Sequence, residues 1–461
     1  MVLTALQYIY LRNTSNIHNH YKYAKLPQSQ KDARISKYKT YNQMKEKDEF
    51  DIGEKQVPSK SHPPPQWIKD YISFHNDARK KYPGKELFTN PDAPKIIIRL
   101  CLGLCGGLHD RLGQLPLDLV IANQTQRILL IQWHKPHALE NYLIPNEIDW
   151  TVPNGVGYDD MKAARNHTEF PVSYSDDPTI EELDDAIQRT AHGDLSKFKV
   201  INLRILGDES SRLLSSRLYK SKEFDDMIDD SLTFGRIFWA FFKPSPSIQR
   251  LVQEHKEYLH LKNNSYIAVH CRTRHPKGWP KDKPLPRAEN PMFPADRSDI
   301  VFDGYEKEHT INITTHALRC ASNFIRSNRP NEPVLLSTDT FKVTNFILSD
   351  KNSPFHNSNL NLVARNDSIP SFHIDRKRGR SIEEHYGTFI DLFLTVEARC
   401  IFFGIGNFGR FAAKISGTSC VGQHRKVEWN THIAPEWFAP ACRMGDGRNE
   451  SQMNTFLFHK F

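Results

Sequence analysis

The feature that most constrains this chain of 461 residues is a repeated hand-over from a short β-branched run, through a glycine or charged turn, to a helical pattern. KIIIRLC (Lys95–Cys101) predicts a buried strand. GLCGG follows, and then HDRLGQLPLDLVIANQ, in which Leu112, Leu115, Leu119 and Ala122 recur at helical spacing. Pro116 predicts a kink or a restarted helix, because proline lacks the amide that an interior turn needs. RILLIQW (Arg127–Trp133) is the next strand. Strand, glycine turn, helix and strand make a βαβ unit.

The pattern goes on with a strand expected at FKVINLRI (Phe198–Ile205) and helices at Phe224–Phe242 and Ser247–Lys262, parted by Pro244 and Pro246. A second alternation follows. SYIAVH (Ser265–His270) predicts a strand that runs into a proline-rich loop, Cys271–Ser298. Next come a helix over Tyr305–Ser327, the strand PVLLST (Pro333–Thr338), a helix over Thr340–Leu348 and the strand LNLVAR (Leu360–Arg365). A helix over Ile382–Arg399 leads to CIFFG (Cys400–Gly404) as the final strand. Two successive sets of this kind predict an α/β fold with two doubly wound domains. The expected division is a polar, partly disordered extension or stem at 1–90, with one helix near Trp67–Lys81. An α/β domain at 91–245 follows, then a second at 246–425 and an irregular tail at 426–461.

Composition removes several classes of function. The formal charge is +8, but residues 1–60 hold eleven Lys and Arg against six Asp and Glu, so +5 of it lies in the extension. That distribution favours a solvated basic tail over a nucleic-acid groove. No run of 18 uncharged apolar residues exists to span a bilayer. MVLTALQYIYL at the start is apolar but has neither a basic flank nor a clear cleavage site. The seven cysteines, an odd number, cannot all pair internally; Cys101 and Cys105 are close enough to pair, no spacing suggests zinc, and buried thiols are the plain reading. Seven N-glycosylation sequons, at Asn13, Asn123, Asn166, Asn263, Asn312, Asn366 and Asn449, point the other way, toward a secretory lumen.

In open α/β sheets, ligands bind beyond the carboxyl ends of the strands. Four such places carry chemistry here. GLCGGLHDRL has Gly106 and Gly107 for a tight turn, a helix N-terminus suited to an anion, and Asp110 beside Arg111. It matches neither the dinucleotide nor the nucleotide-triphosphate glycine loop. VHCRTRH gathers His270, Arg272, Arg274 and His275 at one strand end, with His270 and Arg272 expected on one face. Arginine offers phosphate a planar fork that stays charged. LLSTD ends in Asp339, which would serve either as an acceptor for the ring N–H and amino groups of a base or as a helix cap. FFGIGNFGRFAAK places glycines, Asn407, Phe408 and Arg410 between a strand and a helix, again an anion-accepting start or a plain core turn.

In this order, the four motifs resemble the fucosyltransferase superfamily, the α1,6-, α1,2- and protein O-fucosyltransferase group. The likeness runs in patches over about Ile96–Ser416. GGLHDRL is similar to that group's glycine-rich GG-x-G-D-R-L segment, with His109 for a glycine. VHCRTRH is similar to its H-x-R-R motif, with Thr273 for the second arginine. LLSTD resembles the motif whose acid meets guanine, and GIGNFGRF the G-x-S-S-F motif, with Asn407 for a serine.

The resemblance implies a GT-B fold, two Rossmann-like domains facing across a cleft. It implies an inverting, metal-independent transferase that moves fucose from GDP-fucose, its donor substrate, to a hydroxyl of a glycan or protein, with no cofactor. The chain has no Asp-x-Asp motif for a metal, so the diphosphate charge would fall to arginine and helix N-termini. On this reading Arg272 stabilises the leaving diphosphate, and His270 orients the loop or contacts the base. Asp339 meets guanine, Asn407 and Phe408 lie near the diphosphate or sugar, and Gly106 and Gly107 oppose them. Asp110 is the candidate base, or else the ion-pair partner of Arg111. The resemblance places the chain in the Golgi or endoplasmic reticulum, behind a membrane anchor absent from the sequence given. A catalytically silent nucleotide-sugar or glycan binder, and a transferase using another nucleotide sugar, are the alternatives.

Overall fold

The computed structural model describes residues 64–101, 105–133, 135–156, 167–170, 193, 196–204, 231–273, 304–328, 331–356, 358–365, 371, 374, 380–425 and 440–446. Most of the expected stem, the start of the helix expected from Phe224, nearly all of the proline-rich loop and four of the seven sequons lie outside them. The described residues belong to one compact unit, Val57–Phe461.

The first part of the chain runs α1 (Gln66–Lys81), β1 (Lys95–Cys101), α2 (Leu108–Leu112), α3 (Leu115–Gln124), β2 (Arg127–Trp133), β3 (Leu143–Pro145), β4 (His167–Phe170) and β5 (Val200–Arg204). Strands β2, β1, β5 and β4 form a parallel sheet in that order. In α1, Ile68, Tyr71, His75 and Ala78 make one buried stripe at helical spacing. It docks on β2, where the Tyr71 hydroxyl donates to Arg127 O at 3.0 Å and accepts from Leu129 N at 2.9 Å. Pro116 marks a restart rather than a kink: α2 ends at Leu112, and the proline stands in the first turn of α3, where no amide is needed.

The chain then crosses over through α4 (Ser231–Phe241), β6 (Phe242–Pro244) and α5 (Pro246–Tyr258). Pro244 ends β6, which pairs antiparallel with β3, and Pro246 opens α5. Ser245 between them is tied down as well, its amide donating to Tyr142 O at 2.9 Å and its hydroxyl to Asn141 O at 3.0 Å.

The second alternation is β7 (Ile267–Cys271), α6 (Gly304–Asn328), β8 (Val334–Thr338), α7 (Phe341–Ser349), β9 (Leu362–Ala364), α8 (Tyr386–Val396), β10 (Cys400–Phe403), α9 (Phe408–Ser416), β11 (Cys420–Arg425) and β12 (Pro440–Asp446). From one edge the sheet reads β9, β8, β7, β10, β11, β12. Counted along the chain, that is the order 3-2-1-4-5-6 of a dinucleotide-type sheet. All pairs are parallel except β12, which runs antiparallel to β11. The α/β class with parallel sheets therefore holds.

Two expectations need correction. Cys400–Gly404 is not the last strand, because β11 and β12 follow, and β12 draws part of the expected irregular tail into the sheet as an edge. Six of the seven cysteines are paired, Cys101 with Cys105 among them, and only Cys271 is a buried thiol. Disulfides join Cys101–Cys105, Cys320–Cys442 and Cys400–Cys420, with Cα atoms 6.0, 5.5 and 4.7 Å apart, inside bridging range. The first joins the end of β1 to Cys105, the second ties α6 to β12, and the third joins register partners on β10 and β11.

One apolar core links the two sheets. Ile97, Leu129 and Ile201 of the first sheet share it with Phe238 of α4, Phe389 of α8, Phe411 of α9 and Ala268, Leu335 and Ile401 of the second. The packing is aromatic: Phe411 meets Phe234 and Phe238 at ring-centre distances of 5.8 and 6.0 Å, and Tyr142 stacks on Phe389 at 4.4 Å. This core backs α9 on its inner side and leaves its N-terminus at the strand ends.

Candidate functional site

Strand order locates the site. The chain leaves β7 toward β8 and β9 on one side, and later returns to β10 and β11 on the other. The carboxyl ends of β7 and β10 therefore flank the switch point of the second sheet, where connections diverge and a crevice forms. His270 and Arg272 stand at the end of β7, the turn Gly404–Phe408 at the end of β10, and Asp339 just beyond β8.

The two strand ends interlock. Gly406 has φ +83°, in the left-handed region that favours glycine. Its Cα faces Arg272, and a β-carbon there would lie 2.8 Å from Arg272 Cδ and 3.0 Å from Nη1. The arginine, half-buried, thus lies across the turn that opens α9. His270, 7% exposed, packs its ring on Phe408 with centres 4.9 Å apart and planes at 32°. Asn407 occupies the N-cap of α9, half-buried, and its side chain makes no cap bond. A guanidinium beside the start of a helix is an arrangement for binding a phosphate group.

Asp339 approaches from the other side of β7. Its Oδ1 accepts from the Thr273 amide at 3.0 Å and from the Thr273 hydroxyl at 2.7 Å. Thr338 and Thr340 hydrogen-bond to one another around the same turn, so the start of α7 is held without a side-chain cap from Asp339.

The loop after β1 gives Asp110 a backbone contact beside its two expected roles. Gly106 has φ +76°, and Asp110 folds back over it to accept from the Gly107 amide at 2.6 Å through Oδ2. This is the acidic half of a capping box at the start of α2. Arg111 donates to the carbonyls of Gly106 and Lys135 and lies over the Trp133 ring, 4.8 Å from its centre. His109 connects this loop to α9, its ring edge-on to Phe411 at 5.8 Å. Burial lowers the pKa of His109, with Asp110 opposing and Arg410 and Lys414 adding to the effect. Arg410 and Lys414 are themselves buried on α9, so the charge foreseen at Arg410 is directed into the fold.

The structure thus gathers His270, Arg272, Asp339, Asn407 and Phe408 around β7, β8 and β10. Gly106, Gly107 and Asp110 lie on a separate loop that reaches α9 through His109. Among the described residues no group of three His, Cys, Asp or Glu side chains is placed to hold a metal ion, and no helix is long and apolar enough to cross a membrane.

One neighbour of the site was not foreseen. His424 on β11 is 1% exposed, and its Nε2 donates to His270 O at 3.0 Å. Its ring lies against Gly404, where a β-carbon would fall 2.4 Å from a ring atom. Only a strand assignment after α9 would have exposed it, and Gly417, ending α9 at φ +61°, was the available signal.

No family model matches the sequence, and no curated protein matches it. Several solved structures are similar in fold. A mutant of Arabidopsis thaliana FUT1 in complex with GDP is 12% identical over 83% of each chain, with a TM-score of 0.48. The fucosyltransferase NodZ from Bradyrhizobium is 14% identical over 77% of this chain and 99% of its own, with a TM-score of 0.41. POFUT1 in complex with GDP-fucose is 10% identical over 71% of this chain and 95% of its own, with a TM-score of 0.38.

Proposed function

We propose that this chain is a glycosyltransferase that moves fucose from GDP-fucose to a hydroxyl of a glycan or protein, with inversion. The observation that carries the reading is Arg272, lying across Gly406 at the switch point between β7 and β10, next to the start of α9. Such a position suits the diphosphate of a sugar nucleotide. The choice of guanine and fucose comes from the four motifs and their order in the chain.

In the proposed reaction, the acceptor oxygen forms a bond to the anomeric carbon as the bond from that carbon to the β-phosphate oxygen breaks. The electron pair leaves with GDP, and the acceptor proton passes to a base. Arg272 and the first amides of α9 neutralise the charge that develops on the β-phosphate, with no metal required. Asp339 accepts from the base, His270 and Phe408 wall the crevice, and Asn407 meets the diphosphate or sugar. Asp110 is the carboxylate assigned as base. A competing use of Asp110 rests on a specific contact, the bond from the Gly107 amide, which makes it a structural cap.

The disulfides support an oxidising compartment, in keeping with the Golgi or endoplasmic reticulum. A donor screen with the intact protein tests the function. Release of nucleoside diphosphate is expected from GDP-fucose and from neither GDP-mannose nor UDP-sugars. GDP binding without release would instead support a silent binder, and preference for UDP a different donor.

A further inference from the structure

The backbone around Arg272 is held at successive points. His270 O accepts from His424 Nε2 at 3.0 Å, and Cys271 O accepts from the Asp339 amide at 3.4 Å. On the far side, Thr273 gives both its amide and its hydroxyl to Asp339 Oδ1. Thr273 is 1% exposed, with its hydroxyl also 3.4 Å from that of Thr340. A residue at this depth, one step from Arg272, is enclosed by the fold. What it can do is fix the direction in which the arginine leaves the strand.

We infer that Thr273 is a positioning residue, which locks the Arg272 backbone to Asp339 so that the guanidinium stays across Gly406. This deepens the donor-site reading and rests on it for its functional part, while the lock itself is a statement about the backbone. It also gives Asp339 a second duty. A carboxylate that accepts two bonds on Oδ1 is a fixed anchor as well as a candidate reader of the base.

Valine in place of Thr273 keeps the shape and loses the hydroxyl; serine keeps the hydroxyl. Hydrogen exchange by mass spectrometry over residues 267–273 tests the lock without any ligand. A lost hydrogen bond to a charged group predicts about tenfold faster exchange there in Thr273→Val, with wild-type behaviour in Thr273→Ser. Unchanged exchange in Thr273→Val overturns the inference. The second readout is GDP release from GDP-fucose. Thr273→Val is expected to lower kcat by about tenfold or more with little change in KM, and Thr273→Ser to restore most of it. In an Arg272→Lys background Thr273→Val should add less than about a twofold loss, because both act through one group. Fully multiplicative losses would mean that Thr273 acts elsewhere and would overturn the positioning role. If the wild-type protein releases GDP from no donor, the donor reading fails, and the exchange experiment still decides whether Thr273 locks the strand end.

Discussion

The side chain of Arg272 rests on the backbone of Gly406, so closely that a single added carbon at Gly406 would stand 2.8 Å from Arg272 Cδ. Two motifs far apart in the chain form one surface there. The contact exists because β7 and β10 are neighbours in the sheet, pairing Phe403 with His270 at their ends.

Gly406→Ala should disturb both partners. The new carbon meets the arginine, and φ +83° is strained for any residue with a β-carbon. The expected result is a stability loss of about 1–3 kcal/mol in urea unfolding. Turnover of GDP-fucose should fall by more than about tenfold in the folded variant, since a small displacement of a charge-stabilising group is expensive. Wild-type turnover in Gly406→Ala would show that the position of Arg272 over the turn is immaterial.

Asp110→Asn separates the cap from the base. An amide oxygen can still accept from the Gly107 N–H, so the turn and the melting temperature should survive. If Asp110 takes the acceptor proton, kcat should drop by about 100-fold or more, because asparagine is no base. Activity within about twofold of wild type would confine Asp110 to its structural bond.

Stability should fall with acid. Burial pulls the His75 ring down to about 4, and burial together with His137 and Arg380 does the same to His385. Both are neutral in the fold where the unfolded chain, with ordinary values near 6.5, takes up protons. The unfolded state thus binds more protons between about pH 6.5 and pH 4, and stability is lost as pH falls through that window. Urea midpoints at pH 7.5 and pH 5 check this. The drop should shrink in His385→Gln, and an unchanged drop would place its origin in other groups.

Much of the fold could be read from local pattern. Lys95–Cys101 and Arg127–Trp133 form strands at the expected limits because each is a short apolar run closed by a turn. Strand β12 could not be read this way. It is an edge strand whose register with β11 shifts between Gln423 and Arg425, and its pairing depends on partners distant in sequence. The disulfide from Cys320 to Cys442 was hidden for the same reason, since it joins α6 to that strand.

The candidate site was legible as parts and not as an assembly. His270 and Arg272 could be placed on one strand end by alternation, and Asn407 and Phe408 at a helix start by the glycines before them. That these two ends touch follows from strand order, which crossovers set and local residues do not encode. Asp110 had two readings, ion pair or base. Beyond these, Arg111 reaches carbonyls and the Trp133 ring, and Asp110 reaches an amide. Contacts of that kind depend on where the chain returns after a turn. The role of Thr273 was invisible because its partner, Asp339, comes from the next strand.

The most direct measurement is GDP release from GDP-fucose by the intact chain, compared with Arg272→Ala matched for folding by melting temperature. Removing a donor to the leaving diphosphate predicts turnover below about one-hundredth of wild type, with stability unchanged. Retention of more than about one-tenth of wild-type release by Arg272→Ala would contradict the assignment of the leaving-group charge to Arg272.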